Sequence, residues 1–589
     1  MGINAAAAPV PTPRPVRAWP TAALAAVYWI FQIVLGQLDV PMFTRFMSNA
    51  LSSLAFLLVF VILWLSNGTV RGRLRLALFG VFVGSLVLGL VLADSSYTHA
   101  PDGKFNPVSF MLSAVPIVLT VWAAGLVLVR DWAAGAAVRT LAIGIPLCFF
   151  CFDLTRWDGL DGRLKASYSF RWSKTTEDSF LLAKAAAASS APSTKPWSLK
   201  PGDCPEFRGA QRDGVVRGVR IETNWKEGAP SLVWKQRVGP GWSSVIAVDG
   251  FLVTQEQRGE SEAVVCYDAE TGKEVWKHED KARFSEGIAG PGPRATPTFR
   301  EGRIYSLGGG GLATCLEARD GKVVWTCDLG KDNSAPPPMW GYSASPLLID
   351  GKVILFAGGL SARGIVALDA ATGAPVWSKL VGKESYCSAQ LVTSGGKPQL
   401  LMQDNTALAG LAVADGAVLW KKPYANEGVI PMLQSVQVED GKVLVASGTG
   451  LALIELREEG GAWTVAEKWS APRFQSSFSN FVLHEGYVYG LDQGALACVD
   501  AKSGARVWKK GRFGSGQLIV LADQGQLVVL SETGELALVD AKPSEPGDLF
   551  RFAAIEGKTW NSPTVAQNRL IVRNGVEMAC FRLKALKSP

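Results

Sequence analysis

The stretch DAETGKEVW, residues 268–276, joins an acidic turn to a single tryptophan. Similar stretches return four times along the chain: DGKVVW (320–325), DAATGAPVW (369–377), DGAVLW (415–420) and DAKSGARVW (500–508). In a hairpin, the aspartate accepts hydrogen bonds from turn amides and the glycine supplies a positive φ. The tryptophan opens the strand that follows. The repeat therefore predicts a structural turn, which needs no ligand.

The tryptophans set the period of the second half of the chain. They stand 39 to 52 residues apart, and Phe550 takes the next place: Trp234, Trp276, Trp325, Trp377, Trp420, Trp469 and Trp508. Short alternating runs separated by Gly-containing turns lie between them, so the region is all-β with the repeat length of a propeller. Each indole is expected to pack between neighbouring blades, burying about 200 Å² and contributing several kcal/mol.

Eight first strands can be counted, which predicts an eight-bladed β-propeller. They begin at Trp242, Ala295, Tyr342, Tyr386, Leu433, Phe478, Gly516 and Trp560. The eighth blade ends near residue 583 without an outer strand, whereas residues 231–238, which include Trp234, have the character of one. We expect this N-terminal strand to close the ring, because closure removes free sheet edges.

The first 150 residues have a different composition, dominated by apolar side chains. Five apolar runs are each near the roughly 20 residues that a helix needs to cross a bilayer: 19–37, 46–66, 74–93, 108–129 and 133–152. The chain is therefore predicted to consist of a transmembrane helical anchor at residues 1–153, a linker at 154–203 and the propeller at 204–589.

Arginines favour one side of the predicted spans. They lie in the N-terminal tail and in the second and fourth connections: Arg14, Arg17, Arg71, Arg73, Arg75, Arg130 and Arg139. Such loops stay in the cytoplasm, so the chain is predicted to be a multi-pass protein of the bacterial inner membrane with its propeller in the periplasm. Arg139 and Pro146 interrupt the fifth run. If that run does not cross, the propeller falls on the other side.

The composition argues against several partners. The net charge of +7 is spread over 589 residues and alternates in sign, which is typical of solvated faces and not of a nucleic-acid surface. The pair Cys148 and Cys151 lacks the following histidine that covalent haem attachment uses, so no haem is expected. The chain has three histidines, too few for a histidine metal cluster.

The turns ALDAATGAPVW and CVDAKSGARVW resemble the tryptophan-docking motif of the PQQ-type eight-bladed propellers, over about residues 204–583. That superfamily includes quinoprotein alcohol and glucose dehydrogenases and the non-catalytic propeller lipoprotein of the outer-membrane barrel-assembly machinery. Five spans ahead of a propeller also look like the layout of membrane-bound quinoprotein glucose dehydrogenase. The resemblance implies the fold, and it leaves open whether the chain is an enzyme.

The dehydrogenases hold their quinone on an aromatic floor beside Ca²⁺, so the resemblance implies PQQ with Ca²⁺ as possible cofactors. Candidate residues for this role, or for a ligand channel, are Glu256, Arg258, Arg294, Trp340 and Asn561. Each also fits turn capping or ring packing, and no D-x-D-x-D calcium loop occurs. The longest loops, 284–294 and 330–342, bring Arg294 and Trp340 toward one mouth of the ring.

Three functions remain open. The preferred one is a membrane-anchored envelope propeller that acts as a binding or scaffolding module for an envelope protein or peptide, without redox catalysis. The alternative is a PQQ- and Ca²⁺-dependent quinoprotein dehydrogenase that oxidises an alcohol or sugar and passes electrons to membrane quinone. The third is a sensor of an envelope ligand.

Overall fold

The chain divides into two units, Met1–Ser173 and Lys174–Pro589, and the division falls within the predicted linker. The computed structural model describes residues 15–38, 40, 42–99, 105–162, 164–185, 195–333, 337–358, 364–379, 382, 384–423, 431–447, 450–476, 478–547 and 549–586. Arg14 and part of the loop at 330–342 lie outside the described residues.

The first unit contains the five predicted apolar helices. They are Trp19–Gln37, Met42–Leu65, Gly72–Leu92, Val108–Leu128 and Ala134–Asp153. All five are long and apolar enough to cross a membrane, and the last continues through Pro146. A short helix, Ser95–Thr98, and a hairpin of Thr155–Leu160 with Ala166–Phe170 complete the unit.

Aromatic rings form the centre of this helical unit. Trp122 is fully buried, and its ring centroid lies 5.1 Å from that of Phe60 and 5.2 Å from that of Trp64. Large apolar side chains such as Leu128 and Ile143 remain 80% and 71% exposed on the outer faces. Apolar residues therefore occupy both the centre and the outer surface of the unit.

The second unit is an eight-bladed propeller of four-stranded antiparallel sheets. The strands of blade 1 are Ile246–Val248, Phe251–Arg258, Ser261–Asp268 and Glu274–Asp280. Those of blade 2 are Thr298–Arg300, Arg303–Leu307, Leu312–Glu317 and Val323–Asp328. Those of blade 3 are Leu347–Ile349, Lys352–Phe356, Ile365–Asp369 and Pro375–Lys379. Those of blade 4 are Gln390–Ser394, Lys397–Gln403, Ala407–Ala412 and Val418–Pro423.

The remaining blades repeat the pattern. The strands of blade 5 are Val436–Glu439, Lys442–Ser447, Gly450–Glu459 and Ala462–Ala471. Those of blade 6 are Val482–His484, Tyr487–Asp492, Ala495–Asp500 and Arg506–Arg512. Those of blade 7 are Gln517–Leu521, Gln526–Leu530, Glu535–Asp540 and Arg551–Ala553. Blade 8 contains Thr564–Ala566, Arg569–Arg573 and Glu577–Arg582.

The fourth strand of blade 8 comes from the N-terminal side of the propeller. Ser231–Arg237 pairs antiparallel with Glu577–Arg582, with Trp234 opposite Cys580. Blade 7 carries an additional short strand, Val215–Val216, parallel to its first strand. Smaller elements are the hairpin of Ser285–Glu286 with Gly290–Pro291, the helices Thr176–Ala185 and Leu329–Asn333, and a 3-10 turn at Ala522–Gln524.

The repeated turns join neighbouring blades. In the first of them, Asp268 Oδ1 accepts hydrogen bonds from the Thr271 amide and hydroxyl, each at 2.8 Å, and Asp369 makes the same contacts with Thr372. The indole of the preceding blade donates to the carbonyl of an alanine that follows an acidic residue, Glu317 in blade 2 and an aspartate in the others: Trp234 to Ala269, Trp276 to Ala318, Trp325 to Ala370 and Trp469 to Ala501, at 2.9 to 3.1 Å. A side chain of one blade thus completes the turn of the next.

Glycine is required in these turns for two reasons. Gly373 has a φ of +74°, and a Cβ placed on it would lie 2.6 Å from Cδ2 of Trp325. Any other residue would be strained in the left-handed region and would also collide with the indole. The tryptophan and the glycine of the motif are therefore one packing unit.

The first strands of neighbouring blades contact one another around the axis. One polar residue per blade precedes or begins this strand, and we name the set the polar belt: Ser244, Thr296, Ser345, Ser388, Gln434, Asn480, Gln517 and Ser562. At six junctions the amide of one belt residue donates to the side chain of the belt residue in the next blade, at 2.8 to 3.1 Å. The bonds run in one sense around the ring, so at these six junctions a belt side chain satisfies an amide of the neighbouring blade.

Candidate functional site

The two ends of the ring differ. All first strands run in the same direction, so residues just before the polar belt lie at one end and residues just after it lie at the other. We name the first end the aromatic mouth, formed by Trp242, Arg294, Trp340, Tyr386, Phe478, Lys558 and Trp560. The second end is covered by residues 204–216, which we name the plug segment.

The plug segment crosses several blades. Cys204 forms a β-bridge with Ala247 of blade 1, and the Phe299 amide of blade 2 donates to the Pro205 carbonyl. Arg212 donates to the Ser345 carbonyl ahead of blade 3 at 3.1 Å. Its guanidinium also pairs with Glu206 at 3.1 Å. The segment then ends in the additional strand of blade 7. This end of the ring is closed by the chain itself.

The aromatic mouth contains half-buried rings from blades 1, 6 and 8. Trp560 stands ahead of blade 8, and its ring centroid lies 4.9 Å from that of Trp242 of blade 1 and 4.9 Å from that of Phe478 of blade 6. Lys558 Nζ lies over the rings of Trp560 and Trp242, at 4.7 and 5.4 Å from their centroids. The rings and the ammonium therefore form one cluster over the end of the ring.

A second group of the aromatic mouth contains two residues that the sequence predicted to lie together. Trp340 stacks obliquely on Tyr386 with centroids 4.9 Å apart, and its amide donates to the Tyr386 hydroxyl at 3.3 Å. Arg294 lies 4.6 Å from the ring centroid of Phe284 and forms an ion pair with Glu286 at 3.3 Å. Burial lowers the pKa of Arg294, and Glu286 opposes that effect.

Glu262 is a buried carboxyl that interacts electrostatically with Arg294. It is 6% exposed and accepts the Gly309 amide at 2.9 Å. Burial raises its pKa to about 7, although the Gly309 amide and Arg294 act in the opposite direction. The aromatic mouth is therefore backed by an acid that titrates near neutral pH.

Glu256 and Arg258 do not face the aromatic mouth. They form a buried ion pair at 2.5 Å on the second strand of blade 1, and Glu274 is a second partner of Arg258 at 2.8 Å. Glu256 also accepts bonds from the Tyr267 hydroxyl and the Gly239 amide. Both carboxylate oxygens are thus occupied by protein donors.

Asn561 lies beside the polar belt. It is 2% exposed, and its Nδ2 donates to the Ser243 carbonyl at 2.8 Å, which links blade 8 to blade 1. Of the five candidates, Arg294 and Trp340 share the aromatic mouth, Glu256 and Asn561 join blades 8 and 1, and Arg258 pairs with residues of its own blade.

The arrangement does not fit a calcium–quinone centre of the kind that the resemblance implies. Calcium prefers six to eight oxygen ligands. Glu256 is neutralised by Arg258, and the Oδ1 of Asn561, which is buried without a hydrogen-bond partner among the described residues, supplies a single oxygen. Among the described residues no group of three or more His, Cys, Asp or Glu could hold a metal ion.

The sequence reasoning missed Tyr386 and Phe478 as members of the mouth, although a signal was present. Trp242, Arg294, Tyr386, Phe478 and Trp560 each stand two residues before a belt residue. Because equivalent positions of the first strands meet at the axis, this register brings them together. Alignment of the eight first strands on their small polar residue would have identified the set.

The comparisons with known proteins agree with this architecture. The family described as "Outer membrane protein assembly factor BamB" matches residues 260–510 and 492–581, more than half of the chain. BamB of Burkholderia pseudomallei (strain K96243) is 24% identical over 303 residues, which are 49% of this chain and 63% of that protein. Quinohemoprotein alcohol dehydrogenase ADH-IIG of Pseudomonas putida is 29% identical over 138 residues, 22% of this chain and 18% of the enzyme.

The crystal structure of BamB from Moraxella catarrhalis has a TM-score of 0.44 and 15% identity, covering 61% of this chain and 99% of that one. The quinohemoprotein alcohol dehydrogenase of Comamonas testosteroni has a TM-score of 0.47 and 12% identity, covering 66% and 82%. The chain spans less than two thirds of the length of the BamB sequences of Burkholderia pseudomallei and Moranella endobia. On the match over residues 260–581, the chain belongs to the BamB family of outer membrane protein assembly factors.

Proposed function

We propose that the chain is a membrane-anchored envelope propeller that binds a protein partner and acts as a scaffolding module in outer-membrane assembly. The aromatic mouth carries this proposal. Its half-buried Trp242, Trp340 and Trp560 are of the residue type that dominates protein-binding hot spots, and Lys558 adds positive charge beside two of them. An extended peptide segment of an envelope protein is the partner that this surface suits.

A cross-linking experiment tests the proposed surface. A photo-reactive phenylalanine analogue is placed at Trp340 or Phe478 of the full chain in cells, with Val376 as the control. Val376 is 48% exposed on the outer strand of blade 3, away from the first strands. We expect an adduct with one envelope protein from the mouth positions and none from Val376. Equal adducts at all three positions, or none, would contradict the proposal.

The helical unit is proposed to hold the propeller at the inner membrane, as a multi-pass anchor with the propeller in the periplasm. The five apolar helices, their exposed apolar faces and the arginines of the alternate connections support this placement. Alkaline phosphatase fused after Lys195 should be active, because the enzyme folds only outside the cytoplasm. A silent fusion whose cytoplasmic reporter counterpart is active would reverse the orientation.

The local similarity to quinohemoprotein alcohol dehydrogenases favours a second candidate, an enzyme that oxidises an alcohol or sugar with PQQ. Purified full chain is mixed with PQQ and Ca²⁺, and quinone absorbance and dye reduction with alcohols and glucose are measured. Dye reduction that is lost in both Arg294→Ala and Glu256→Ala would replace the scaffolding proposal. Absence of PQQ binding at micromolar concentration would remove the enzyme.

A further inference from the structure

A buried arginine of the plug segment has donors that no described residue accepts. Arg208 is 6% exposed, and its Nη2 donates to the Phe481 carbonyl at 2.5 Å and to the Asp213 carbonyl at 3.2 Å. Its Nε and Nη1 are buried and have no hydrogen-bond partner among the described residues. Native proteins rarely leave such donors unpaired, so a group outside the chain is the natural acceptor.

The charge of Arg208 is also not neutralised by direct contact. Burial lowers its pKa to about 10, and the guanidinium still remains protonated at neutral pH. The Asp213 carboxylate attracts it, but its two oxygens are bound by the Val215 amide at 2.9 Å and by Arg217 at 3.0 Å. The other acid of the plug segment, Glu206, pairs with Arg212. A buried cation without a contacting anion is costly.

Arg208 lines a cavity of about 230 Å³ between the plug segment and the first strands of blades 1, 7 and 8. A water molecule occupies about 30 Å³, so the space admits a group of several atoms. Two arginines, Arg208 and Arg217, and one acid, Asp203, line it. Asp203 already accepts the amides of Lys200 and Asp249 and the side chain of Gln567.

Two neutral side chains of the cavity wall are engaged in bonds between blades 1 and 8. Ser244 Oγ accepts the Ser562 amide at 3.0 Å, and the Thr564 hydroxyl donates to the Val245 carbonyl at 2.6 Å. The charge of the lining residues and the open donors of Arg208 therefore both select for a negative ligand.

We propose that this cavity binds a small oxyanion, a phosphate or a carboxylate group, through the guanidinium of Arg208. The anion supplies the acceptors that the chain does not, and it joins the plug segment to blades 1, 7 and 8. This site lies at the opposite end of the ring from the aromatic mouth, so the inference is independent of the proposed partner surface.

The test measures binding and thermal stability of the detergent-solubilised full chain. Sodium phosphate and sodium acetate are added in separate titrations, against sodium chloride at equal ionic strength. Saturating oxyanion is expected to raise Tm by about 3 °C and to give a saturable isotherm in calorimetry. The arm with the larger response identifies phosphate or carboxylate as the preferred group.

Arg208→Met should abolish the response, because the buried donors are removed while the aliphatic volume is kept. Arg283→Ala is the control, since Arg283 pairs with Glu177 outside the cavity and its variant should respond like the parent. If Arg208→Met does not fold, Arg208→Lys replaces it and should weaken binding at least tenfold. No oxyanion-specific response in the parent chain, or an undiminished response in the Arg208 variant, would overturn the proposal.

Discussion

The indole Nε1 of Trp325 in blade 2 donates a 3.0 Å hydrogen bond to the carbonyl of Ala370 in blade 3, and the ring of Trp325 covers Gly373 of the same turn. The same three-residue contact joins several other blades. Adhesion between neighbouring blades thus depends on the contact between the turn of one blade and the indole of the preceding blade.

Substitution of Gly373 by alanine should be markedly destabilising. The φ of +74° costs about 1 kcal/mol for any residue with a Cβ, and the collision with Trp325 adds about 1–3 kcal/mol. Gly351→Ala is a matched control, because Gly351 has a φ of +69° with open space around its Cβ position. The loss of Tm in Gly351→Ala measures backbone strain alone, and the additional loss in Gly373→Ala measures the collision with the indole. Equal losses would show that the indole contributes nothing.

Replacement of tryptophan by phenylalanine should cost more at Trp325 than at Trp377. Trp377 packs on Gly416 in the same way, but its buried Nε1 has no partner among the described residues. The turn that faces Trp377 has Val413 at the place where Ala370 accepts the bond of Trp325. We expect Trp325→Phe to lose about 1 kcal/mol more than Trp377→Phe in urea unfolding. The reverse order would contradict this role of the hydrogen bond.

Glu262 should make stability fall as the pH rises. Burial raises its folded-state pKa from the ordinary 4.5 to about 7, so the folded chain holds the proton more tightly than the unfolded chain. Protonation therefore favours folding: the contribution is fully present below pH 4.5 and is lost as the pH rises through 7. Glu262→Gln should raise Tm at pH 8 and flatten its dependence between pH 5 and 8. Glu301 is exposed, so Glu301→Gln is the control and should leave the pH dependence of Tm unchanged. An unchanged pH dependence in Glu262→Gln would contradict the prediction.

Closure of the ring by Ser231–Arg237 can be tested through the residue pairing between this strand and Glu577–Arg582. Arg237 stands opposite Glu577, and Ser231 stands opposite Arg582. The double variant Arg237→Cys/Glu577→Cys should form a disulfide under mild oxidation, whereas the mismatched Arg237→Cys/Arg582→Cys should not. Peptide mass analysis detects the bond. Similar yields from both pairs would contradict the pairing of these strands.

The fold was predictable from the sequence because its signals are local. The acidic turn, the glycine and the tryptophan lie within nine residues, and each apolar helix is a continuous run. The candidate site was harder to predict. Glu256 and Arg258 belong to a strand whose residues from Leu252 to Arg258 are all buried, so alternation along the strand does not show which side chains face the axis.

The plug segment could not be predicted for a different reason. Arg208 finds its acceptor at Phe481, 273 residues away, and Arg212 finds Ser345, 133 residues away. The sequence of the segment itself contains no pattern that identifies these distant partners. The mouth residues were easier to predict than the plug segment but harder than the fold. Five of them share one position, two residues before the polar belt, but this spacing is recognised only after the belt residues have been identified.

The plug segment also has a consequence for how the protein is made. It leaves the ribosome before blade 1, yet Val215 pairs with Val520, about 300 residues later. At roughly 5–20 residues per second, translation of that interval takes roughly 15–60 seconds. During this time the segment lacks its last partners, and Arg208 remains in water until Phe481 has been made. Complete docking of the plug segment is thus a late event of biogenesis. A truncated nascent chain that lacks blades 6 and 7 also lacks the strand and the carbonyl to which the segment binds.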